Sequence, residues 1–248
     1  MSFKNIQFLT SKEYQSFLDE ETKPKPIKLN IPKWFKNLNH SFKNKTVKGC
    51  VPFLDSLTTG YVLSTPQEVF FEWGVDSKNN EKYEAHKYSY ADNTFDNTVN
   101  LNNLNTVKNE SHPYPQIEGS ELNGDKLPVN KFLNPWIIKT PPGYSCLFVP
   151  PLNNSDKRFS IVPAIVDTDI YEDYINFPFI LHKDKIKENE VTIKKATPYV
   201  QIIPFERQNW KMSLGTIESY KPNIFRLKIV NTLLHHYKTK IWNKKNFK

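Results

Sequence analysis

Apolar and polar positions alternate in short runs along most of this chain, and the runs are cut by turn residues at regular intervals. Trp136–Lys139, Tyr144–Val149, Phe159–Val166, Ile175–Leu181, Glu190–Ile193 and Tyr199–Phe205 are six such runs. Pro141-Pro142-Gly143, Pro150-Pro151, Asn153-Asn154 and Pro178 punctuate them. Apolar stretches this short, rich in β-branched and aromatic residues and bounded by turn formers, predict strands. Earlier in the chain Val47–Leu54, Gly60–Leu63 and Glu68–Val75 read the same way, and Tyr83–Tyr90 is the best strand within a polar stretch.

Three-and-four spacing is confined to the ends. Thr10 and Glu13 have capping-box spacing ahead of Tyr14, Phe17 and Leu18, which predicts a short helix over 10–20. A Lys/Pro stretch, Thr22–Pro32, reads as an extended linker, and Ile31–Leu38 opens a helical turn with Pro near its start. At the other end Ile224, Leu227, Val230, Leu234, Tyr237 and Ile241 recur at helical steps after Pro222. The prediction is a mainly β fold: a sandwich, jelly-roll or β-clip-like core with short N-terminal helices and a basic C-terminal helix. Its divisions are 1–46 (helix and linker), 47–220 (β-rich core with a polar excursion at 76–131) and 221–248 (basic amphipathic helix packed on the core).

Charge changes the picture in one place. The 248 residues hold 34 basic and 26 acidic side chains, a net charge of +8. Eight of the basic residues and no acid lie in 221–248, so the rest of the chain is neutral. The basic face, Lys238, Lys240, Lys244 and Lys245, is a candidate surface for nucleic acid, an acidic protein or an anionic membrane. Trp242 and Phe247 among those lysines suit stacking on bases. The competing reading docks the apolar face on the core and leaves the lysines solvated.

Composition excludes several classes. Two cysteines, Cys50 and Cys146, make neither a disulfide framework nor a four-cysteine zinc site, and are expected as buried, reduced thiols. Seven glycines are too few for a phosphate-cradling loop in the usual setting. No stretch approaches the ~20 apolar residues of a membrane span, and no secretory h-region opens the chain. Location in the host cytoplasm or a virion is expected, without secretion. Aromatic residues are 14% of the chain, so Phe, Tyr and Trp must supply much of the core. Trp34, Trp73, Trp136 and Trp210 are expected as core or loop anchors.

Four phrases occur in order: Lys48-Gly49-Cys50-Val51-Pro52-Phe53-Leu54-Asp55, Pro141-Pro142-Gly143-Tyr144-Ser145, Ile165-Val166-Asp167-Thr168-Asp169, and Thr197 to Phe205. With the preceding Ile31–Leu38 segment, they resemble a family of uncharacterised proteins of marine tailed phages and bacteria, over roughly residues 27–248. That resemblance implies phage association but no established activity. Residues 140–205 also resemble the middle of the trimeric dUTPase β-fold. The matching positions are Val166-Asp167-Thr168-Asp169, with Tyr171 one place late, and Val200-Gln201-Ile202-Ile203. The resemblance implies that Asp167 activates the attacking water, a task for a carboxylate within hydrogen-bond reach. The family's Arg-Ser-Gly-Leu-Gly phosphate motif and glycine-rich arm have no counterpart, and Ala164 stands where the family has glycine.

Candidate ligand or metal positions are therefore Asp167, Asp169, Tyr171 and Gln201, with Asp156, Glu172 and Asp173 as further carboxylates for a divalent cation. His182 and Asp184 with His235 have the spacing of an iron(II) facial triad, but no arginine follows His235 to hold a 2-oxoglutarate carboxylate. No cofactor is expected, and no constellation is complete enough to make an enzyme the first reading. The first reading is a non-enzymatic, phage-type structural or accessory protein working through protein contacts, with homo-oligomerisation. The alternative is a dUTPase-like nucleotide-binding protein, catalytically degenerate.

Overall fold

A computed structural model describes residues 4–15, 18–41, 43–75, 81–86, 117–123, 129–186, 190–216 and 237–248. Among them the chain is mainly β, as the alternation predicts. The strands are β1 (Gln7–Leu9), β2 (Lys25–Pro26), β3 (Tyr61–Ser64), β4 (Val69–Val75), β5 (Glu81–His86), β6 (Asn130–Phe132), β7 (Ile137–Lys139), β8 (Tyr144–Val149), β9 (Phe159–Ile161), β10 (Ala164–Val166), β11 (Phe177–Leu181), β12 (Glu190–Ile193) and β13 (Pro198–Glu206). The α-helices are α1 (Lys12–Gln15), α2 (Lys33–Asn37) and α3 (Val51–Thr58).

All strand pairs are antiparallel. The largest sheet has the order β10-β8-β13-β3-β2, and two three-stranded sheets run β6-β11-β9 and β12-β4-β5, with β1-β7 a separate pair. β13 is the spine of the large sheet. It pairs with β8 from Gln201↔Val149 to Glu206↔Tyr144, and with β3 from Pro198↔Ser64 to Ile202↔Tyr61.

Aromatic residues do fill the core. Phe132 stacks on Phe179 at 3.9 Å between centroids and meets Phe159 edge-on at 5.3 Å. Tyr199 lies 4.8 Å from Phe132 and 5.5 Å from Phe177. Rings offset or edge-on in this way add about 0.5–1.5 kcal/mol per pair beyond the area they bury. The cluster joins β6, β9 and β11 to β13, so two sheets share one interior. Trp136 is buried with it, whereas Trp34 is about half exposed and the side chain of Trp73 lies outside the described residues.

Several expectations need correction. Val47–Leu54 is not a strand: a 3-10 turn, Val47–Gly49, leads into α3. Pro52 sits in the first turn of α3, where its missing N–H costs nothing and its fixed φ favours the helix. Phe159–Val166 is two strands in different sheets, because Val162-Pro163 interrupts the ladder. The Lys/Pro stretch is no linker: β2 pairs with β3, and Ile27 is buried at the start of a 3-10 turn. Among the described residues the N-terminal helix covers Lys12–Gln15, and Gln7–Leu9 before it form β1 on β7. The polar excursion ends early, since Val129, Asn130 and Phe132 are buried. Residues 221–236 of the expected C-terminal helix lie outside the described residues. The described part of that stretch opens with one π-helical turn, Tyr237–Ile241, and 242–248 have no regular structure.

Gln201 sits at the centre of β13, fully buried. Its Nε2 donates to the carbonyls of Ser56 at 3.0 Å and Thr59 at 2.7 Å, and its Oε1 accepts from the N–H of Leu152 at 2.8 Å. One amide thus satisfies the C-terminal end of α3 and the loop after β8. Beside it Gly60, at φ +83, passes so close that a Cβ would lie 2.0 Å from the Ile202 carbonyl oxygen. Gln201→Leu keeps the volume and orphans all three backbone groups, at about 1–3 kcal/mol each where they stay dry. The expected result is a large fall in urea midpoint with an unchanged m-value.

Candidate functional site

Pro141-Pro142-Gly143-Tyr144 folds as a tight turn. Tyr144 N–H donates to the Pro141 carbonyl at 3.2 Å and Gly143 takes φ +84. Proline at the second position and glycine at the third are what a type II turn requires. The turn exposes the Gly143 N–H, which donates to Asp169 Oδ2 at 2.8 Å. It also offers the Gly143 carbonyl, which accepts from Arg207 N–H at 2.8 Å.

Arg207 follows directly on β13. Its Nη1 donates to Asp169 Oδ1 at 2.7 Å, to the Tyr144 carbonyl at 3.1 Å and to Ser145 Oγ at 3.1 Å, while its Nη2 pairs with Asp169 Oδ2. Asp167 accepts from Ser145 Oγ at 2.6 Å and stands 3.3 Å from Arg207 Nη1. The bidentate pairing with Arg207, reinforced by the Gly143 N–H, holds the Asp169 carboxyl down at about 2. The site is therefore an ion-paired cluster at the meeting of β8, β10 and β13.

This geometry bears on each predicted site residue. Asp167 and Asp169 do converge, but on a guanidinium, so the position between the two carboxylates already holds a positive group. Tyr171 is exposed; its N–H donates to the Asp167 carbonyl and its own carbonyl accepts from Lys139 Nζ at 2.8 Å. Gln201 is not beside them: it is the buried amide under α3, and its three bonds leave it structural. Asp156 is held by Arg158, Glu172 stands near Lys139, and Asp173 accepts from the next residue's N–H. Among the described residues no group of three or more metal-ligating side chains forms. His182 Nε2 faces Ser160 Oγ at 2.9 Å and Asp184 pairs with Lys185, while His235 lies outside the described residues.

Cys146 is buried beneath the cluster, where desolvation pushes its thiol up to about 11. Cys50 is exposed, contrary to expectation. Its place just ahead of α3 puts it at the surface.

The end of the chain is anchored by one carboxylate. Asp55 of α3 accepts from Trp242 Nε1 at 3.0 Å and from Lys245 Nζ at 2.5 Å. Phe247 meets Tyr61 edge-on at 5.7 Å. The predicted basic face is thereby divided. Lys238 and Lys240 are exposed on the π-helical turn, Lys244 lies beyond it, and Lys245 is tied to Asp55. Trp242 and Phe247 turn inward rather than outward for stacking. Between this tail and the start of the chain lies a groove of about 470 Å³, lined among others by Lys4, Tyr61, Tyr144, Pro204, Lys244 and Phe247. Lys4 Nζ lies 5.6 Å from the Tyr144 ring centroid, within cation–π range.

Beyond Arg207, residues 208–216 have no regular secondary structure and are all exposed. Trp210 is 88% exposed, Met212 82% and Leu214 90%. Trp210 is thus neither a core nor a loop anchor, and no described side chain covers it. Sequence reasoning does not find Arg207 as part of a site. The available signal is its rarity, as one of three arginines, placed directly after the strongest strand.

Compared with known proteins, the chain matches no family model and no curated sequence. Among the described residues no helix is long and apolar enough to cross a membrane.

The Asp169 carboxyl is expected to titrate near 2 by carbon-13 NMR. With a folded value below the unfolded one of about 3.9, the stability it lends is present above that value and lost as pH falls through about 2. Arg207→Gln should move the titration up toward the ordinary carboxylate range. An unmoved value would mean that Arg207 is not its cause.

Proposed function

We propose that this chain is a non-enzymatic structural or accessory protein of phage type, acting through protein–protein contacts. The observation that carries the reading is the segment 207–216. Three large apolar side chains at alternate positions stand in water on a stretch whose base is fixed by Arg207. Scattered exposed apolar residues are ordinary, but a contiguous set on an unpaired segment marks a binding element. Its sequence resemblance to phage proteins, over roughly residues 27–248, supports the same reading by association.

Supporting it further, the aspartates that a dUTPase-like protein would use are engaged by Arg207. A general base needs a carboxylate directed at a bound water. Here Asp167 Oδ1 faces Ser145 Oγ and the guanidinium. The alternative, a degenerate nucleotide-binding protein, would have to break this cluster to admit a phosphate.

Mass spectrometry of purified particles tests the proposal: a structural protein is present at a fixed stoichiometric copy number. The variant Trp210→Ala/Met212→Ala/Leu214→Ala should fold normally and be lost from the particles. In a thermal-shift assay with magnesium, dUTP, dUDP and dCTP should leave Tm unchanged, since only a ligand that binds the folded state raises it. A concentration-dependent rise would replace this reading with the nucleotide one.

A further inference from the structure

The chain carries two apolar surfaces that are uncovered among the described residues and that match each other. One is the segment after β13. From Gln208 to Thr216 it makes no turn and no bend, and its backbone groups form no hydrogen bond among the described residues. Its apolar residues alternate at 210, 212 and 214, the period of a strand with one apolar face. Lys211 is the charged residue of that segment.

The other surface surrounds β10. This strand is at the edge of the large sheet, paired only with β8 among the described residues. Ile165 on it is 63% exposed, and Ile170 and Tyr171 just beyond it are 70% and 42% exposed. Glu172 and Asp173 adjoin them, both exposed. An open edge with apolar residues is a template for another strand, and natural proteins cover such edges.

We infer that the segment 207–216 of one copy of this chain docks on the β10 edge of a second copy, placing Trp210, Met212 and Leu214 against Ile165, Ile170 and Tyr171. This pairing rests on the reading that the segment is a protein-binding element, and it gives that element its partner. Three features select a second copy. Each surface supplies what the other lacks: an unpaired segment of strand periodicity against an open edge, apolar residues on both, and Lys211 against Glu172 and Asp173. Both surfaces stand uncovered among the described residues of the single chain. The donor and the acceptor are also neighbours, because Arg207 at the base of the segment is bonded to Asp167 and Asp169, directly between Ile165 and Ile170. Arg207 N–H on the Gly143 carbonyl fixes that base. A donor adjoining its acceptor allows two copies to exchange segments reciprocally about a two-fold axis, a closed and self-complementary arrangement. Main-chain pairing would supply affinity and the alternate side chains specificity, as in strand addition generally.

Sedimentation velocity on the full chain tests this. The wild type should be a dimer at micromolar concentration. Trp210→Ala/Met212→Ala/Leu214→Ala should weaken association by at least ~30-fold, as expected for loss of a central aromatic anchor. Ile165→Glu/Ile170→Glu should do the same from the acceptor side. All five positions are exposed, and unchanged near-ultraviolet circular dichroism would confirm that both variants fold. Mixed together, the two variants should form a heterodimer, because one intact donor then meets one intact acceptor, while neither associates alone. A mixture that stays monomeric at the highest soluble concentration overturns the inference, as does a monomeric wild type. A monomeric wild type whose segment variant is still lost from particles would leave the broader reading standing and assign the segment to a different partner. A segment variant retained in particles like the wild type would remove that broader reading.

Discussion

The buried amide of Gln201 is the constraint on which the rest of this structure depends. A strand centre is an unusual place for a polar side chain, and burying one without partners costs several kcal/mol by transfer from water. Here every requirement is met at once: two carbonyls of the α3 end and one N–H of the loop after β8. The exchange ties the C-terminal end of α3 to β13. On the same helix Asp55 meets residues near the chain end through Trp242 and Lys245. The sheet, the helix and the C-terminal residues are thus linked through one side chain in β13.

A second constraint governs the far end of β13. The Pro-Pro-Gly-Tyr turn has no apparent chemistry of its own, yet its backbone organises the charged cluster. Gly143 gives an N–H to Asp169 and a carbonyl to Arg207. The two aspartates after β10 then close on the guanidinium. The Asp169 side chain is only 5% exposed while Arg207 and Asp167 reach solvent, so the cluster closes over one covered carboxylate. It fixes where β10, β8 and the end of β13 stand relative to one another, and so fixes the direction in which residues 208–216 leave the sheet.

Much of the fold is legible in the sequence because period-two alternation is a local property. β8 and β12 have the boundaries that the pattern predicts, and β13 extends its run by one residue at each end. The failures have physical causes. Val51-Pro52-Phe53-Leu54 is as apolar as a strand, and only the proline at the first turn distinguishes a short half-buried helix. The interruption at Val162-Pro163 separates two strands that the sequence joins in one apolar run. Gln201 reads as a ligand position because Val200-Gln201-Ile202-Ile203 resembles a dUTPase strand; its partners come from residues 56, 59 and 152, which no local pattern connects. Asp167 and Asp169 do belong together, but their cation, Arg207, lies 38 positions beyond Asp169. Charge sites assembled from distant segments are invisible to spacing.

The exposed segment at 207–216 is equally hard to read from the sequence. Residues 207–216 hold only three large apolar side chains among polar ones, too few to register as a strand and too irregular for a helix. Their meaning comes from contrast with the rest of the molecule. The interior sequesters aromatic residues densely, with Phe71, Phe148, Phe179 and Tyr199 at 2% exposure or less. A chain that buries rings so thoroughly has the means to cover a tryptophan, and Trp210 lies shortly beyond a strand of the central sheet. Leaving it in water together with Met212 and Leu214 costs roughly 1.5–3 kcal/mol per side chain relative to burial. Arg207 gives that segment a fixed base beside the β10 edge, and both are uncovered among the described residues.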